Sequence, residues 1–200
     1  PAQWEELDKS FSKSMRRKTK KAVKRIGDES TTIRSSCDFP LEQLWPDFVD
    51  LHQSRRLSLG QPGCFAEPEF ENFLRSATES LIGSGQAELI VIDCDGSPLA
   101  AMLLFNDGHT NYMYQSGADV TRMKQEPGYQ IACHAIVSSI DQGFKSFDFL
   151  RGDEPYKSRW GTRRITLLRN RWVPRKFTSV FKHNLWLTGR SLKSFFRKTK

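Results

Sequence analysis

Neither a CxxC nor an HxxxH pair occurs anywhere in the 200 residues. The four cysteines, Cys37, Cys64, Cys94 and Cys133, stand 27, 30 and 39 residues apart. That spacing excludes the short chelating loops of zinc sites and the dithiol redox motif, so no metal is expected. Isolated thiols of this kind read as buried side chains in a reducing compartment, which makes the cytoplasm the expected location. Long apolar runs are missing too. The longest, residues 99–105, falls far short of the roughly 20 residues that a membrane-crossing helix needs. No Met and no apolar leader precede the opening Pro-Ala-Gln-Trp, as expected of a piece of a longer protein rather than a secreted one. Acid is absent from one end: from Pro155 to Lys200 there are fourteen basic residues and no Asp or Glu.

The formal charge of +8 therefore hides a segregated pattern. Residues 1–27 carry nine basic and three acidic side chains, residues 28–154 eight and twenty, and residues 155–200 fourteen and none. Two basic ends flank an acidic middle, which directs attention to anionic partners at the ends. A hydrophobic content of 38%, with 12% aromatic, excludes a disordered or low-complexity chain. The length suits one large domain.

Hydrophobic spacing predicts helices over residues 11–26, 41–57, 67–82 and 127–142, and a basic amphipathic helix over 178–200. Strands are expected at 30–36, 87–93, 98–105, 109–117, 147–150 and 164–173. Asp95-Gly96 and Asp107-Gly108 sit between apolar runs, the pairing that tight hairpins demand, and make 87–117 a three-stranded meander. The expected fold is a mixed α/β (α+β) sheet of about six strands flanked by helices. A parallel crossover between strands 109–117 and 147–150 would place the segment after Asp148 at a strand's carboxyl end, where ligands of open sheets bind. Cys133 and His134 are neighbours on a helix, point to different faces and make no nucleophile–base couple.

The motif FDFLRGDEPYKSRWG (147–161) resembles the signature of the CelD/BcsL-like, or FemAB-like, group of the GNAT (N-acetyltransferase) superfamily. The YMYQSG strand, the ADVTRMKQEPG run (118–128) and the basic opening helix are similar to that group as well. The resemblance implies a GNAT-like domain over 28–174, preceded by a basic helical segment (1–27) leading from an upstream lobe and followed by a basic helix (175–200). It also implies an N-acyltransferase that uses acetyl-CoA or another acyl-CoA on an amino group of a polysaccharide or cell-envelope precursor.

Acyl transfer from a thioester needs a seat for the donor's pyrophosphate, an acid for the leaving thiolate and a group to meet the amine. Helix N-termini seat phosphates, so Arg122, Lys124, Gly128 and Tyr129 are the candidate donor-binding residues. Only one glycine of the superfamily's usual turn stands in MKQEPGYQI. The resemblance points to Tyr156 as the acid, since a phenol with pKa near 10 suits a thiolate of similar basicity. Asp148, Asp153 and Glu154 are the carboxylates placed to meet the amine, and Arg151, Lys157 and Arg159 the candidate substrate-binding cations. Those same carboxylates and cations equally suit mutual ion pairs. The alternatives are a non-catalytic binding or scaffold lobe, and a module that binds nucleic acid or an anionic membrane through its basic ends. For the helix 11–26 an intramolecular role is favoured over nucleic acid. For the last helix, a membrane surface and another lobe stand level.

Overall fold

In the computed structural model residues 3–152, 154–168, 170 and 172–198 are described, with side chains as far as Gly189. The first compact unit, Pro1–Thr162, contains α1 (Trp4–Ser10), α2 (Lys13–Ile26), β1 (Thr31–Ser35), α3 (Leu41–Ser58), α4 (Pro68–Gly83), β2 (Ala87–Cys94), β3 (Ser97–Asn106), β4 (Thr110–Ala118), α5 (Pro127–Asp141), β5 (Ser146–Asp148) and α6 (Pro155–Arg159). The second unit, Arg163–Lys200, contains α7 (Phe177–Lys198).

The described strands form one sheet in the order β1-β2-β3-β4-β5. The first three pairings are antiparallel and β4–β5 is parallel. Apolar residues run almost unbroken through β2 and β3 because both faces of the sheet are covered. Alternation then feeds two cores. Ile90, Ile92, Ala100, Met102 and Leu104 meet α2 and α5 through Met15, Ala22, Ile131 and Ala135. Leu89, Val91, Ala101 and Leu103 meet α3 and α4 through Leu44, Trp45, Phe48 and Leu74. At the Asp95-Gly96 turn both residues have positive φ, 53° and 72°, the conformation a two-residue hairpin requires.

Two expectations change. No strand forms among the described residues of 163–174, so the sheet has five strands rather than six. Ile165 and Leu167 flank Thr166 in strand-like alternation, but Leu168 breaks it, and Ile165, Leu167, Leu168 and Trp172 are all exposed. An alternating run is a strand only when a neighbour takes up its hydrogen bonds and covers its apolar face. The basic opening segment is also no appendage. Phe11, Met15 and Ala22 are buried in the same core as the sheet, and the compact unit runs through α1 and α2 to Thr162.

Candidate functional site

β5 pairs along its whole length, but only with the start of β4: Thr110 with Ser146, Asn111 with Phe147 and Tyr112 with Asp148. From Met113 to Ala118, β4 keeps β3 on one side and, among the described residues, has no strand on the other. Its pairing with β3 slips at Leu103/Leu104, which leaves Tyr114 as an extra residue in a bulge. β4 thus presents an open edge of backbone donors and acceptors beside the end of β5. An extended amide-bearing chain is the natural occupant of such an edge.

β5 stops because the chain turns sharply. The Asp148 carboxylate accepts the Leu150 N–H at 2.6 Å, and Leu150 adopts φ 55°. Gly152 follows at φ 126°, where a Cβ would meet the Glu154 carboxylate at 2.4 Å. Glu154 then precedes α6 and pairs with Lys157 Nζ at 2.8 Å. Lys157 also donates to the carbonyls of Leu150 and Arg151, at 3.3 and 3.1 Å. Lys157 is therefore the clamp of this loop, while Arg151 is exposed. Lys157 holds the Glu154 carboxyl below the usual carboxylate range. Asp153 lies outside the described residues.

Tyr156 sits on α6 with its ring 6.2 Å from Phe149. Burial, then the Glu154 charge, pushes its phenol up to about 12, against the value near 10 expected from sequence. It stays protonated throughout the neutral range and is a hydrogen-bond donor, never a base.

The opening turn of α5 makes the other wall. Gly128 is exposed, and nothing lies within 4 Å of where its Cβ would be. Tyr129 is bracketed by cations: Lys18 Nζ lies 4.4 Å from its ring centroid, and Arg159 donates to its hydroxyl at 3.1 Å. Glu126, at φ 57° and ψ 49°, precedes the helix and pairs with Lys18 at 2.6 Å and Lys21 at 3.6 Å. Arg25 donates to the Gln125 carbonyl. Lys18, Lys21 and Arg25 of α2 thus reach the start of α5, while Arg16, Arg17, Lys20 and Lys24 are exposed, and Lys18 and Arg159 are brought together around Tyr129. Lys124 is exposed on the short Met123–Gln125 turn. Arg122 is elsewhere: it pairs with Asp119 at 2.5 Å and donates to the carbonyls of Cys94, Ser97 and Pro98. Its guanidinium ties down the β2–β3 turn and commits four of its five N–H donors to these partners.

No sequence motif points to His52, a buried residue of α3. It is 1% exposed, and burial, the largest cause, lowers its pKa. Gln53 accepts from Phe65 N–H and donates to the Pro62 carbonyl, so its oxygen faces His52 Nδ1 at 3.2 Å. Nε2 lies 3.2 Å from Gln115 Oε1 of β4, 3.4 Å from Arg56 Nε and 3.8 Å from Cys64 Sγ. Only the fold joins α3, β4 and the Cys64–Ala66 turn here; no local pattern announces it. The four cysteines are free, and burial drives the Cys133 thiol up to about 12. Among the described residues no cluster of His, Cys, Asp or Glu is placed to hold a metal.

Residues 9–158 match the family described as acetyltransferase (GNAT) domain. No curated protein matches the chain. Among solved structures, FemX shares the fold with a TM-score of 0.64 at 14% identity, over 80% of this chain and 56% of the FemX chain. A possible acetyltransferase from Clostridium difficile 630 gives 0.50 at 11% identity, over 72% of this chain and 97% of its own. A GCN5-related N-acetyltransferase from Ralstonia eutropha JMP134 gives 0.50 at 15%, over 71% and 98%. Likeness at these identities speaks for the fold, and this chain spans little more than half of FemX.

Proposed function

From this chain's membership of the acetyltransferase (GNAT) domain family, a family of acyltransferases, we propose that it transfers an acyl group from acyl-CoA to an amino group of a polysaccharide or cell-envelope precursor. The donor class is that of the family. The acceptor class, and a second GNAT-like lobe of a longer protein, come from the resemblance carried by residues 147–161.

One observation supports the reading most: β5 ends at Asp148, opposite Tyr112, and leaves the rest of β4 without a parallel neighbour among the described strands. The donor supplies an activated thioester carbonyl. The unpaired edge of β4 would hold its amide-bearing arm, and backbone N–H groups around the Tyr114 bulge would polarise the carbonyl. Gly128 leaves room for a phosphate at the start of α5, where Tyr129 and Gln130 N–H already donate to the Glu126 carbonyl, with Lys18 and Arg159 adding positive charge around Tyr129. Tyr156 would steady the leaving sulfur with a hydrogen bond. At a pKa of about 12 it is too weak an acid to protonate a thiolate outright. Glu154, lowered by Lys157, keeps its charge and attracts a cationic acceptor without taking its proton. The amine therefore arrives neutral or loses its proton to water, and turnover should rise with pH through the acceptor's own titration.

Calorimetric titration of the full chain with acetyl-CoA and longer acyl-CoAs, followed by thiol release in the presence of glucosamine, tests this. Binding with acceptor-dependent thiol release is the expected result. Absence of binding to every acyl-CoA would overturn it. A second reading has a specific observation in its favour: Arg122 and Lys157 are committed to structural bonds, and the Glu126 carboxylate already holds Lys18 and Lys21. A lobe that kept the fold and lost the donor site would look like this, and would fail the same titration.

A further inference from the structure

The second unit carries an apolar surface that nothing in its own segment covers. On α7, Phe177, Phe181 and Leu185 recur every four residues, and all three are more than half exposed. Val180 and Leu187 extend the same side, and both are exposed as well. At 100° per residue these five side chains span an arc of roughly 160°. Lys182 falls opposite, and no acidic residue occurs anywhere from Pro155 onward. Ahead of the helix, Ile165, Leu167, Leu168 and Trp172 are exposed and stand in the sequence among Arg163, Arg164, Arg169 and Arg171. Among the described residues no helix is long and apolar enough to cross a membrane.

We propose that residues 163–200 are a docking surface for an anionic phospholipid bilayer, with α7 lying in the interface. Charge selects this occupant. A helix that docks on protein turns its polar face to water, where mixed signs are the rule; a polar face with no carboxylate at all matches a surface of uniform negative charge. Nucleic acid would satisfy the cations but leave a 160° apolar arc in water. A bilayer takes both: the arc enters the acyl boundary while lysines and arginines stay among the headgroups. A partner at the membrane also agrees with an acceptor drawn from envelope precursors, although the docking surface stands on its own residues.

The full chain should co-sediment with vesicles of equal parts phosphatidylcholine and phosphatidylglycerol, at least about tenfold more than with pure phosphatidylcholine. High salt should release it. Phe181→Ala with Leu185→Ala should cut the partition by about tenfold or more, since two large side chains leave the acyl region. Lys182→Glu should do the same by reversing one charge at the surface. Circular dichroism and the thermal transition of each variant, unchanged from the parent, confirm that the fold survives. Equal partition onto neutral vesicles, no partition onto anionic ones, or retention on single-stranded RNA with none on vesicles, would each overturn the proposal.

Discussion

Tyr156 shows what a residue's surroundings do to a role read from its type. The sequence offered a phenol matched to a thiolate; burial, then the Glu154 charge, moves it to about 12. Tyr156→Phe should therefore lower turnover by roughly 10- to 100-fold, in the range of one lost transition-state hydrogen bond, with acyl-CoA affinity unchanged. Steady-state kinetics beside direct titration of the donor check it; equal losses in both would make the residue structural. Gly117 is the counterpart whose role is steric. A Cβ there would stand 2.4 Å from the backbone nitrogen of His52 and 2.5 Å from the carbonyl carbon of Leu51. Gly117→Ala forces α3 away from β4 and should cost about 1–3 kcal/mol or more, read as a lower urea midpoint at unchanged slope. Because α3 also carries His52 and Arg56, activity should fall with it. Tyr156 and Glu154 were legible because they lie within one continuous motif. The commitment of Arg122 to the carbonyls of Cys94, Ser97 and Pro98, some 25 residues away in sequence, was not.

At the scale of elements, the most informative contact is α2 on α5. Lys18 and Lys21 grip Glu126, Arg25 reaches the Gln125 carbonyl, and Met15 and Ala22 fill the core beneath. The Glu126 carboxyl is lowered from its ordinary value, first by its hydrogen bond from Lys18. A group depressed in the folded state stabilises above its unfolded pKa, and that contribution is lost as pH falls through the lower folded value. Glu126→Gln should cost about 0.5–1 kcal/mol at neutral pH, a modest figure because the pair is partly exposed. Denaturation of the two proteins should converge in acid, below the usual carboxylate range. The helices, the meander and its two Asp-Gly turns were readable from periodicity and turn chemistry, because those signals are local. The sixth strand was not: Ile165, Leu167 and Leu168 are apolar but exposed, and no described strand pairs with them. The shortness of β5 was equally hidden, since the Asp148–Leu150 turn ends it inside an apolar run.

For the whole molecule, the division falls after Thr162. Both cores and all five described strands lie in residues 1–162. A chain ending at Thr162 should keep a cooperative thermal transition close to that of the full chain, by calorimetry, while losing partition onto anionic vesicles. Loss of the transition would show that the second unit is needed for folding. The sequence by itself determined the family, through the 147–161 motif. It also determined the mixed sheet, through period-2 runs set among amphipathic helices, and the segregation of charge, which is simple arithmetic. The tertiary structure alone decided how that charge is used. It brought Lys18, Lys21 and Arg25 of α2 onto the start of α5, and spent Arg122 and Lys157 on backbone carbonyls. It also parted β4 from β5 and assembled His52, Gln115 and Cys64 from three separate stretches. The reason is physical: propensity, periodicity and turn chemistry act between residues close in sequence, whereas ion pairing, burial and pKa depend on which distant residues the packing brings within a few ångströms.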